Sequence, residues 1–240
     1  MANGFGLTIK LENNSQDALV IMEQNGVKTQ KTISIEDLAS RLASTHKLST
    51  GILPKGTRYY SGSALNYIIG IEVASRKRMF MADFYNRREL AEAKGLKYKP
   101  NNIEVCFPPT LFIFNVKNLK LSDTKVFALK QTLVKEDDML YRFPFGNTYA
   151  DGRICWGNNK IPSIKNPFCL IEVMSLFLDS PFNGDLVDGI TLKSFKFGDK
   201  QINDYWAFVK YLPDMEKFPE EALCYTNSKF NATVKEMGKE

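Results

Sequence analysis

"PFGNTYADGRICWGNNKIP", residues 144–162, sets a cysteine in the middle of turn chemistry. Gly146, Asn147, Asp151, Gly152, Gly157 and Asn158 surround Cys155 with no sustained periodicity. A structural cysteine ordinarily lies in an apolar strand or helix, where it acts as a small hydrophobe. A reactive one needs an exposed, shaped position. The flanks of the loop decide what holds it. Upstream, "EVCFPPTLFIFNVKNLKLSDTKVFALK" (104–130) has two apolar runs rich in Phe, Val and Ile, parted by polar turn residues. That predicts paired strands, with Cys106 a structural residue of the sheet. Downstream, in "NPFCLIEVMSLFLDSPFNGDLV" (166–187), Leu170, Val173, Met174, Phe177 and Leu178 recur at helical spacing. Pro167 stands where a first helical turn tolerates it, Cys169 is assigned to core packing, and "SPFNGD" ends the run. Strands, irregular cysteine loop, then an amphipathic helix predict an α+β domain with the helix packed on the sheet.

Working outward, "FGLTIKLE" and "DALVIMEQNG" alternate as strands, with Asn25-Gly26 a hairpin turn signal. In "SIEDLASRLASTH", Ser34 is a candidate N-cap with Asp37 three residues on, and Ile35, Leu38 and Leu42 form a helical stripe. Residues 1–50 are therefore expected as an N-terminal extension of hairpin and helix. "ALNYIIGIEVAS" and "KRMFMADFY" are expected as paired strands joined by a solvated "SRKR" turn, and "RRELAEAKG" as a short polar helix. The last residues, 213–240, are expected as a polar tail. No internal repeat interrupts the chain.

Composition excludes several chemistries. The 240 residues are 44% hydrophobic and 25% charged, an ordinary globular balance. The net charge of +5 is carried by dispersed residues rather than one stripe, so nucleic-acid binding is not expected. No apolar run is long enough to cross a membrane, and the N-terminus lacks a basic start with an apolar core, so a cytoplasmic protein is expected. Cys106, Cys155, Cys169 and Cys224 form no C-x-x-C pair, which argues against zinc and for reduced thiols. No cofactor is expected. The single histidine, His46, is read as a solvent-exposed or capping residue. A Cys-His or Ser-His-Asp hydrolase would have to rest on it alone.

The segment "FGNTYADGRICWGN" (145–158) resembles the active-site loop of ubiquitin-conjugating (E2) enzymes, which reads His-Pro-Asn, then a short loop, then Cys-Leu. With the cysteines aligned and no gap, Asn147 falls on the motif's asparagine, Gly152 on its glycine and Cys155 on the thioester cysteine. Phe145-Gly146 replace His-Pro, and Trp156 replaces Leu. "LIEVMSLFLDSPFNGDLV" (170–187) resembles the helix that follows in E2 enzymes, with Asp185 on the acidic residue that guards the cysteine. The departures, with "LPKGTRYYSG", resemble the bacterial E2 family D, which includes B proteins of ParB-related, ThiF-related (PRTRC) cassettes.

This resemblance implies an E2/UBC-like domain over residues 51–212: an antiparallel β-meander, the cysteine loop and a packed helix. It implies that Cys155 accepts a ubiquitin-like protein from a ThiF/E1-like enzyme as a thioester and passes it to an amine. Asn147 has two readings, an oxyanion donor or a loop tie. Asp185 would orient or deprotonate the amine, or be solvated. Arg153 would favour the thiolate, or point into solvent. The other function is an inactive E2-fold interaction module binding a ubiquitin-like or E1-like partner.

Overall fold

The structure, a computed structural model, describes residues 5–11, 16–24, 26–38, 52–63, 65–83, 92–93, 95, 101–132, 135–183, 186–187 and 192–239. The chain divides into two units, Met1–Ser49 and Thr50–Glu240. In the first, β1 (Phe5–Leu11), β2 (Asp17–Gln24) and β3 (Val27–Ser34) form an antiparallel meander with β2 central. Ser34 caps a helical turn at residues 35–38, its Oγ accepting from the Asp37 N–H at 3.0 Å. Leu42 and His46 lie outside the described residues, as does most of "RRELAEAKG".

The second unit is built on β8 (Thr110–Lys117), whose residues are buried on both faces except at its last position. Phe112, Phe114 and Val116 face one core, while Leu111 and Ile113 face a second. Alternation along one strand thus serves two apolar layers, which is why the run looks continuous in sequence. β8 turns through Asn118-Leu119, both at positive φ, into β9 (Lys120–Ala128). With β4 (Thr57–Gly62), β5 (Tyr67–Val73), β10 (Met139–Arg142) and β14 (Tyr225–Lys229), these form a six-stranded antiparallel sheet ordered β14-β10-β9-β8-β5-β4. Helix α1 (Cys169–Leu178) lays Leu170, Val173, Met174, Phe177 and Leu178 on the first core, with Phe177 edge-on to Phe112 at 5.8 Å. That is the stripe the sequence predicts.

Two expectations need correction. β5 and β6 (Arg76–Asp83) are not partners: β5 pairs with β4 and β8, whereas β6 pairs with β7 (Asn101–Phe107) and β11 (Phe182–Asn183). The chain changes sheets at Ala74-Ser75, where the Ser75 hydroxyl donates to the Phe107 carbonyl at 2.8 Å. The basic cluster lies within β6 rather than in a turn, and Arg78 reaches Asp179 at the end of α1, 2.8 Å away. Nor are residues 213–240 a polar tail. They supply edge strand β14 and helix α3 (Phe230–Met237), whose Phe230, Val234 and Met237 cover the sheet's second face. β8 fixes the end of that helix, Asn115 Nδ2 donating to the Met237 carbonyl at 2.6 Å. Between them, the hairpin β12 (Phe195–Phe197) and β13 (Lys200–Ile202) leads into helix α2 (Tyr205–Tyr211), capped by Asp204.

Cys106 is buried on β7, in the β11-β6-β7 sheet rather than the sheet of β8 and β9 where it was expected, and its thiol donates to the Glu216 carbonyl at 2.8 Å, a structural role. Cys169 is half-buried against the first core.

Candidate active site

The cysteine loop is a small hairpin. The Cys155 N–H donates to the Asn147 carbonyl at 2.8 Å, and the Tyr149 N–H to that of Arg153 at 2.9 Å. Thr148 pairs with Ile154 between them. The return arm docks on β9, with the Val126 N–H on the Gly152 carbonyl at 2.8 Å and the Ile154 N–H on that of Thr124 at 3.2 Å. A period of two then sorts the side chains. Thr148 and Ile154 turn inward and are buried, while Asn147, Tyr149, Arg153 and Cys155 share the outer face.

Gly152 makes the tight return. Its φ is +86°, and a Cβ there would stand 2.6 Å from the Phe127 ring. Gly152→Ala meets both penalties, so we expect a loss of about 2–4 kcal/mol. Urea denaturation monitored by fluorescence checks it, and an unchanged midpoint would refute it.

The base of the hairpin explains how the loop is held without His-Pro. Phe145 is 1% exposed, with Phe107 at 4.4 Å, Phe143 at 5.3 Å, Phe182 at 5.9 Å and Phe208 at 6.1 Å between ring centroids. At Gly146 a Cβ would fall on the Asn183 carbonyl oxygen, far inside van der Waals contact. Backbone therefore packs on backbone where the hairpin meets β11. On its other side Trp156 stands edge-on to Phe177 of α1, with ring centroids 6.2 Å apart.

Asn147 completes this anchoring. Its backbone is left-handed, at φ 64°, and its Nδ2 donates to the Pro181 carbonyl at 2.7 Å. Its Oδ1 accepts from the Asn183 N–H at 3.4 Å. These are the contacts of a loop tie, one of the two readings open on sequence.

Around the sulfur, the structure adds a residue that the sequence reading did not select. Tyr149 shares the hairpin face of Cys155, and the nearness of that thiol is the first cause raising the tyrosine above its ordinary range. Arg153 is exposed, as its solvent reading has it, and is held along the surface by two neighbours. Its guanidinium lies over the Tyr149 ring, 5.4 Å from the centroid, and its Nε donates to Asp151 Oδ2 at 2.6 Å. Partial burial works against the Asp151 carboxylate, but the Arg153 backbone N–H and guanidinium outweigh it and hold the carboxyl below its usual range. The signal for Tyr149 was the alternation N-T-Y and R-I-C, too short to register as strands. Cys155 is a half-buried free thiol, while Asp185 lies outside the described residues. No His, Cys, Asp and Glu cluster suited to a metal occurs among the described residues, and no described helix is long and apolar enough to cross a membrane.

The family model described as Prokaryotic E2 family D matches the chain over residues 72–226, well over half its length. The chain belongs to prokaryotic E2 family D. No curated protein and no solved structure matches it. The part of the chain that matches family D runs from β5 into β14 and takes in the whole cysteine hairpin and α1. The N-terminal unit and α3 fall outside it. Membership in family D carries an E2-like role in general.

Proposed function

We propose that this family D protein is an E2-like carrier with a UBC-like core, acting in the cytoplasm. It accepts a ubiquitin-like protein from a ThiF/E1-like enzyme on Cys155 and transfers it to an amine. The observation that carries this reading is the placement of Cys155: a half-buried sulfur on the outer face of a hairpin backed by β9. The Cys155 thiolate attacks the carbonyl carbon of the E1-bound thioester. A C–S bond forms to Cys155, and the E1 sulfur leaves as a thiolate. An acceptor amine then attacks the same carbon; its C–N bond forms, the C–S bond breaks, and the amine proton passes to solvent. Asn147 serves as a positioning residue that fixes the hairpin base. Asp185, by its alignment with the family's acidic residue, orients the amine. Asp185→Ala should slow discharge while leaving loading unchanged, and equal discharge rates would remove it from the mechanism.

The resemblance to ThiF-associated cassette proteins points to the test system: a ThiF-like enzyme and a small ubiquitin-like protein of the kind such cassettes encode. Mixed with these and ATP, the wild type should form a DTT-sensitive adduct. Cys155→Ala should form none, and Cys155→Ser either none or a DTT-resistant ester. If wild type and Cys155→Ala behave alike, the carrier reading fails. The commitment of the Asn147 amide to Pro181 and Asn183 favours a second reading, an E2-fold interaction module. Partner binding that survives Cys155→Ala, without any thioester on the wild type, would select it.

A further inference from the structure

We propose that Arg78 is a positioning residue for the Cys155 hairpin, acting through its ion pair with Asp179 at the end of α1. This deepens the carrier reading and rests on it. Asp179 is an acid at the unfavourable end of a helix. It is the C-cap residue of α1, where the unsatisfied carbonyls repel a negative charge, and the helix has no basic residue in its last turn. The missing cation comes from β6. Arg78 Nη2 donates to Asp179 Oδ1 at 2.8 Å, a charge-assisted hydrogen bond. The guanidinium side chain is 11% exposed and the carboxylate 66%, so the pair lies between a surface bridge and a buried one. The same strand holds the chain again just beyond. β11 lies parallel to β6, with Phe182 against Ala82 and Asn183 against Asp83. Residues 179–183 are thus fixed on β6 at both ends.

That segment grips the cysteine loop. Its Pro181 carbonyl accepts from Asn147 Nδ2 at 2.7 Å, and its Asn183 N–H donates to Asn147 Oδ1 at 3.4 Å. The Asn147 carbonyl in turn accepts the Cys155 N–H at 2.8 Å. Downstream of the sulfur, Asn159 Nδ2 reaches Ser180 Oγ at 3.5 Å. The loop is therefore tied on both sides of Cys155 to one short stretch of chain. The route from Asp179 to Pro181 is closely bonded. The Asp179 and Ser180 N–H groups donate to the Ser175 and Phe177 carbonyls, and the Ser180 hydroxyl to that of Leu176. With the guanidinium gone, Asp179 meets the carbonyl end of α1 without that cation, and the last turn opens more readily. Attack on a thioester needs its carbonyl held in line with the incoming amine, so looseness there slows the chemical step. Arg78 sets where Asn147 stands, and Asn147 sets where Cys155 stands.

Arg78→Met keeps most of the side chain's bulk and removes its charge, whereas Arg78→Lys keeps the charge. Amide hydrogen exchange is read by NMR on the full chain, without any partner. In Arg78→Met the Cys155 and Asn183 amides should exchange about tenfold faster, while those of Phe112 and Phe114 in β8 keep their rates. Arg78→Lys should restore most of the protection. The double variant with Asp179→Asn should lose no more than Arg78→Met alone, as the two ends of one contact do. Unchanged exchange at Cys155 and Asn183 in Arg78→Met overturns the proposal. Equal loss in Arg78→Lys also overturns it, because bulk and not charge would then hold the turn. Equal acceleration in β8 does the same, being the mark of general loosening. With Cys155 loaded, discharge of Arg78→Met to free lysine should reach a limiting rate about fivefold lower, at an unchanged half-saturating lysine concentration. An unchanged limiting rate removes the positioning role. Failure of the wild type to load at all would sink the carrier reading, whereas the exchange comparison would still decide whether Arg78 braces the hairpin.

Discussion

Replacing Phe145-Gly146 by the His-Pro of eukaryotic E2 enzymes will destabilise this protein rather than improve it. Phe145 is nearly inaccessible and its ring lies among Phe107, Phe143, Phe182 and Phe208. An imidazole there loses aromatic packing and buries polar nitrogens in an apolar layer, at a cost of about 2–4 kcal/mol. Proline at position 146 brings a Cβ onto the Asn183 carbonyl, so the hairpin base and β11 must separate. That adds roughly 1–3 kcal/mol or more, and the neighbouring changes will not add simply. For a folding unit of this size each kcal/mol is worth about 2–4 °C, so the double variant should melt about 10 °C or more below the wild type. Differential scanning calorimetry reads the shift. The single variants Phe145→Leu and Gly146→Ala separate ring loss from backbone contact, and Gly146→Ala should be the more damaging. A double variant that melts with the wild type would show that Phe145-Gly146 is not what seats the loop.

The second large effect is expected from α3. Deleting residues 230–240 uncovers Leu111, Ile113, Phe127, Leu129 and Leu140 together, one whole face of the central sheet. Phe230→Ala alone should cost about 3–5 kcal/mol, because its large buried side chain leaves a cavity the sheet cannot close. The truncated chain should be insoluble or bind a hydrophobic dye when produced. The damage reaches the cysteine hairpin by two contacts. Phe127 carries Gly152 on its ring, and Lys125, buried on the strand that backs the hairpin, pairs with Glu236 of α3 at 3.5 Å. Hydrogen exchange of residues 147–155 should therefore accelerate in Phe230→Ala. A soluble, cooperatively melting chain ending at Lys229 would refute this role for α3.

Legibility in the sequence followed the length of each pattern. α1 spans nearly three turns, and its five buried residues repeat often enough to be read before any tertiary information. β8 and β9 were legible for the same reason. The arms of the cysteine hairpin are three residues each, so one inward side chain apiece, Thr148 and Ile154, is all the alternation they can offer. α3 was missed because Phe230, Val234 and Met237 are interleaved with Asn, Lys and Glu over only two turns. The exchange of partners between β5 and β6 has no local signature, since either strand alternates equally well in either sheet.

At the site, the residue types and their spacing determined that Cys155 is the reactive candidate and Asn147 its partner in a turn-rich loop, and they determined the family. They left the role of each side chain open, because a turn asparagine and an oxyanion donor are the same residue in a string of letters. Only the tertiary structure decided that the Asn147 amide spans to Pro181 and Asn183, that Phe145 seals the base of the loop, and that Tyr149 shares a hairpin face with Cys155. The physical reason is that propensity and periodicity act along a few neighbouring residues. Contacts between positions 147 and 183, or across the two arms of a short hairpin, exist only once the sheet behind them has closed.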